Sequence, residues 1–284
     1  MTDLPSRDAD AIRPTVDPAM PGAQASFWLP STITLPMALL DLGLILLVLV
    51  VLPDLSTELW APDLSGDEPV ALTGLAIAKW LQAGLAALVT LWLLRRRGLT
   101  RRAFGLTFNG ARATLLWGCG ALIGLYTALL GSALLLLMVF VAVAPEQQDA
   151  MAADSQQRAD LFGSLDLGDP LLTAILLVAV ALHEELIFRA LILPYLQRIT
   201  YFWWVSIPLG AMLFGAMHGA QGVLGIFQAS LLGLVLGTIF VLSRSIWPVI
   251  LAHFAFDWLQ FALIRSVLPL LEQMQQQMSP PGAG

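Results

Sequence analysis

Apolar stretches of about 18 or more residues alternate with polar ones along this chain. Their spacing predicts helices over about 33–52, 71–94, 112–143, 171–197, 203–218, 222–242 and 246–268. Each is long enough to approach the span of a hydrocarbon core about 30 Å thick. The fold class expected is all-α, a polytopic membrane helix bundle of seven to eight transmembrane helices. The eighth stays open because the stretch 112–143 is long enough to tilt or bend, and no internal repeat stands out.

Composition agrees with that reading. Hydrophobic residues make up 58% of the 284 and charged residues 12%, against about a quarter charged in soluble domains. Mean hydropathy is +0.79. Residues 1–30, rich in proline and aspartate, read as a disordered polar tail. Residues 31–270 read as the membrane domain, with a catalytic core at about 170–260, and 271–284 as a flexible tail. The small-residue stretch "AMPGAQA" precedes the first apolar run, where a cleavable signal would have it follow, so that run is expected to stay as an anchor. Cys119 is the only cysteine, which leaves no internal disulfide framework. The net charge of −6 argues against a nucleic-acid partner, whose binding needs a basic face.

Arginines in short loops set the expected orientation. Arg95, Arg96, Arg97, Arg101, Arg102 and Arg112 place the second connection in the cytoplasm, and Arg7 and Arg13 put the N-terminus on the same side. The acidic segments 53–69 and 144–170 then face outside. The preference for arginine over lysine hints at a GC-rich genome, hence a bacterial inner membrane.

Against this background the stretch "ALHEELIFRALILPYL" (181–196) is unexpected. An ionised residue at the bilayer centre costs about 2.5–3.5 kcal/mol on insertion scales. Glu184, Glu185, Arg189 and Asp257 must therefore be paired, protonated or turned to a water-filled cavity. Glu185 and Arg189 are four apart and share a helix face, where they can pair. Glu184 is rotated by about 100° from Glu185 and is free to point into a cavity. His218, four residues after Phe214, ends the fifth predicted helix; His253 and Asp257 share a face of the last. A carboxylate with imidazoles and a group to orient one of them suits water activation and proton transfer. Each also has a structural reading: His183 as a packing residue, His218 bonded to a loop carbonyl, and His253–Asp257 as a lock between helices. Lys79, Gln82 and Asp41 read as structural or snorkelling groups.

These motifs, in this order, resemble the CAAX prenyl protease and bacteriocin-processing (CPBP) intramembrane proteases. EExxxR is matched by Glu184-Glu185 to Arg189, FxxxH by Phe214 to His218, and HxxxN/D by His253 to Asp257. The resemblance implies an intramembrane endopeptidase acting on a membrane-tethered protein or peptide. In it Glu184 and His218 activate a water, His253 with its partner stabilises the oxyanion, and Glu185, Arg189 and Phe214 support them. An ionised aspartate cannot donate a hydrogen bond where asparagine can, so Asp257 is either protonated by burial or, the favoured reading, orients His253 and favours its protonated form, leaving His253 as the oxyanion donor. Glutamate with two histidines is also a zinc-ligand set, but HExxH is absent because Ile187 follows His183 by four. The expectation is no metal cofactor, with a zinc-dependent version as the alternative. A non-catalytic immunity or scaffold protein and a proton-coupled transporter are the other two readings.

Overall fold

The structure is a computed structural model, and it describes residues 28–51, 72–142, 153 and 169–278. The acidic segment 53–69, nearly all of 144–170 and most of the expected N-terminal tail lie outside the described residues. Every element within them is helical. α1 covers Leu35–Leu46 and widens into a π-turn over Leu47–Val51; α2 is Leu72–Arg97 and α3 Ala111–Ala142. α4 (Pro170–Glu185) passes through a π-helical segment, Leu186–Ile192, into α5 (Leu193–Thr200). α6 is Trp203–Ala216, α7 Gly222–Ser243 and α8 Trp247–Met278.

The stretches 72–97, 111–139, 170–200 and 219–243 are long and apolar enough to cross a membrane, while Leu35–Val51 and Trp203–Ala216 are apolar but shorter. This is an integral membrane protein by those helices. α8 runs ten residues past its expected end, because leucine, glutamate, glutamine and methionine after Pro269 favour helix.

The continuous helix expected over 171–197 is instead wound in two ways. Pro194 has no N–H to donate and its ring crowds the carbonyl four residues back. The turns before it open to π geometry over Leu186–Ile192, directly after the paired glutamates. Such local widening recurs at functional sites. At the other end Asp169 caps α4, its Oδ1 accepting from Leu171 N at 2.8 Å and Leu172 N at 3.2 Å, with Pro170 at the first position where no N–H is needed.

α4 and α5 form the centre. Ile187, Ala190, Leu191, Ile192 and Tyr195 are fully buried, with α2 packed along α4, α6 against α7, and α8 against both α3 and α4. The α6–α7 contact depends on absent side chains. A Cβ on Gly215 would meet Ser230 and the Ile226 carbonyl, and one on Gly233 would lie 3.1 Å from Ala211 Cα. Small residues allow this approach where no hydrophobic effect draws helices together.

Asp41, 2% exposed, accepts a two-armed contact from Arg97 at 2.6 and 2.8 Å and a hydrogen bond from the Tyr195 hydroxyl at 3.0 Å. It ties α1, α2 and α5 together, the structural role expected of it. The turn from α7 to α8 is itself buried. Ser245 is inaccessible and donates to the Thr107 carbonyl at 2.7 Å, Asn109 donates to the Ser243 carbonyl at 2.9 Å, and Ile246 N–H donates to the Gly105 carbonyl at 2.9 Å. The connection 98–110 thus covers the start of α8. His253, only six residues into α8, is thereby carried to the level of the glutamates on α4.

Candidate active site

Glu184, His218, His253 and Asp257 come from α4, the end of α6 and α8, and all four line one cavity of about 500 Å³. Leu75 of α2, Leu125 and Leu129 of α3, and Ala229, Leu232 and Leu236 of α7 complete its apolar walls, with Lys79 of α2 and Gln221, Gln228 and Gln260 among the polar positions. Concave, mostly apolar spaces with a few convergent polar groups are the usual form of a binding site.

Glu185 is fully buried and turned away from that cavity. Its Oε1 receives Arg189 Nη1 at 3.0 Å and His253 Nδ1 at 2.7 Å. The pair with Arg189 follows from the spacing of four. The bond to His253, 68 residues away, does not, and through it Glu185 also holds the ring of His253. Arg189 is held in turn by the Phe214 ring, 4.5 Å from its guanidinium carbon, and Phe214 packs edge-on against Phe188 at 5.1 Å. The second motif thereby buttresses the first.

With Nδ1 donating to a carboxylate, the other nitrogen of His253 looks into the cavity. Nε2 lies 3.4 Å from Asp257 Oδ2 and 3.7 Å from Glu184 Oε2, both long for a charge-assisted hydrogen bond. Glu184 Oε2 has no hydrogen-bond partner among the described residues. The contact of Asp257 with His253 is on the cavity side, so it can orient the ring only weakly compared with Glu185.

His218 is fixed differently. Its Nδ1 lies 2.8 Å from the Phe214 carbonyl oxygen. A carbonyl can only accept, so Nδ1 carries a proton, and in its neutral form the ring presents a lone pair at Nε2. The two imidazoles are therefore unlike: His218 offers an acceptor, and His253 is oriented by a carboxylate behind it.

His183 stays outside the cavity lining, its Nδ1 buried without a hydrogen-bond partner among the described residues. Lys79, read from the sequence as a structural or snorkelling group, lines the cavity. The three glutamines carry no such signal in the sequence. Nothing in a lone glutamine marks which face of a helix it occupies, whereas Leu75 and Lys79, four apart, do share one. Among the described residues no three histidine, cysteine, aspartate or glutamate side chains are grouped as a metal ion requires.

The comparisons with known proteins point the same way as the motifs. Residues 166–259, 94 of the 284, match the Rce1-like family model, described as type II CAAX prenyl endopeptidase Rce1-like. That segment holds all three motifs, and the match supports the resemblance to the CPBP proteases. No curated protein and no solved structure matches the chain.

Proposed function

We propose that this chain is a CAAX-protease-like intramembrane endopeptidase that hydrolyses a peptide bond of a membrane-tethered protein or peptide without a metal ion. The observation that carries the reading is the shared cavity: Glu184, whose Oε2 has no hydrogen-bond partner among the described residues, lines a space also lined by two imidazoles with different hydrogen-bonding partners.

In this mechanism Glu184 takes a proton from a water whose second hydrogen is accepted by His218 Nε2. The hydroxide attacks the scissile carbonyl carbon. The oxygen of the tetrahedral intermediate receives a hydrogen bond from Nε2–H of a protonated His253, which donates its Nδ1–H to Glu185 behind it. Glu184 then returns its proton to the departing nitrogen, giving a carboxylic acid and an amine, and the acid's remaining proton passes to the amine to leave carboxylate and ammonium. A positioned general base contributes about 10²–10⁴-fold, and one preorganised oxyanion donor about 10²–10³-fold. Asp257 orients the cavity side of His253 and is not itself a donor.

The seven helical rods serve as seven spans, with α1 and α6 crossing despite their length through tilt or local thinning. The arginine-rich connection 98–110 and the N-terminus lie in the cytoplasm, and the membrane is a bacterial inner membrane. A prenylated substrate is not required by the cavity, whose glutamines and lysine suit a peptide chain.

The test compares membrane-protein termini in cells making wild type with those making Glu184→Gln at equal abundance. New termini present only with wild type are expected. Identical termini in the two would remove the protease assignment.

A further inference from the structure

Lys79 is the only lysine in the chain; every other basic residue among the 14 is arginine. It lies about 10 Å along α2 from Leu72, at 1.5 Å per residue, where the helix is otherwise apolar. Two arginines with little exposure are neutralised: Arg97 at the end of α2 by Asp41, and Arg189 by Glu185. Among the described residues no carboxylate lies within 4 Å of the Lys79 ammonium. It lines the same cavity as Glu184, so it shares the space of the candidate base without being that base's ion-pair partner.

The direction of the side chain matters. Ile77, Trp80 and Leu81 expose the outer face of α2, and Lys79 turns with Leu75 to the cavity side. An ammonium among apolar walls needs water or an anion. Lysine, a compact charge on a flexible stem, suits an anion that arrives and leaves, whereas arginine holds a fixed two-armed partner. The cavity offers no anion of its own for it other than the working carboxylates.

We propose that Lys79 is a carboxylate subsite of this cavity, binding an anionic carboxylate of the peptide substrate, supplied by a free C-terminus or by an acidic side chain. The assignment rests on reading the cavity as a peptide-cleavage site. It makes Lys79 a specificity-determining residue that selects which peptides lie across Glu184.

The experiment uses the full chain in nanodiscs carrying Glu184→Gln, so that bound peptide is not consumed. The probes are three pools of apolar hexapeptides with the same randomised positions: free acid, C-terminal amide, and amide with one internal glutamate. A charge-assisted contact is worth a factor of about 10–100 in affinity, so one or both carboxylate pools should bind that much more tightly than the plain amide. Preference for the free acid alone identifies the terminus; equal preference for the glutamate pool identifies the side chain. Lys79→Met should abolish the difference, and Lys79→Arg should keep most of it, which covers the case in which methionine fails to fold. Equal binding of all three pools, no binding of any, or a preference that survives Lys79→Met overturns the subsite. Hydrolysis of the same pools by the chain with Glu184 intact is read separately. Cleavage without a carboxylate preference removes only the subsite, and preference without cleavage removes only the protease reading.

Discussion

Glu184 and Glu185 are adjacent and chemically identical, yet alanine at each is expected to damage different properties. Glu185 is inaccessible, and its Oε1 serves both Arg189 and His253. Removing it strands a buried guanidinium and frees the ring of His253. Breaking one partner of a buried ion pair costs about 3–5 kcal/mol, against a total of about 5–15 kcal/mol for an ordinary domain. At about 2–4 °C per kcal/mol for chains near this size, the unfolding midpoint should fall by about 10 °C. Glu184 lines the cavity, and its Oε2 accepts no hydrogen bond among the described residues. Its alanine variant should stay within about 0.5 kcal/mol of wild type while hydrolysis falls by about 10²–10⁴-fold. Thermal unfolding in nanodiscs with a parallel peptide-hydrolysis assay reads both properties. A double variant, Glu185→Ala with Arg189→Leu, removes both ends of the pair and should recover part of the lost stability, since the stranded charge is gone. Equal destabilisation by the two glutamate variants, or strict additivity in the double, would refute the division of labour.

Three further outcomes follow from the same contacts. Asp257→Asn should retain more than about a tenth of wild-type activity, because Glu185 and not Asp257 holds the 2.7 Å bond to His253 and about 1.4 kcal/mol separates tenfold rates; total loss in a folded variant would make Asp257 part of the chemistry. His218→Gln should lower kcat by about 10²-fold or more with little change in KM, measured by initial rates, and wild-type kcat would remove His218 from the water-activating pair. Chelation with EDTA should leave hydrolysis unchanged, and loss of activity restored by zinc alone would replace the metal-free mechanism.

The helices were legible in the sequence because in a membrane the apolar run is itself the element: every backbone group must be satisfied within it, so length and hydropathy locate the rods, though not the π segment within 171–197 or the far end of α8. What hydropathy could not register is anything set by a partner far along the chain. The burial of the α7–α8 turn depends on Thr107 and Asn109 reaching Ser245 and Ser243, and simple counting from the helix start consequently places His253 too shallow. The site divides in the same way. The Glu185–Arg189 pair lies within one helix face and follows from spacing, whereas the Glu185–His253 bond crosses between α4 and α8 and has no local signature. Lys79 is the sharpest case, since snorkelling and cavity-lining lysines look identical in sequence and only the helices packed around α2 separate them. Intramembrane charge thus says that a polar interior must exist, and the long-range packing decides which charges turn toward it. In this protein a residue adjacent in sequence to the candidate base, Glu185, belongs to the scaffold, and one 105 positions away, Lys79, shares its cavity.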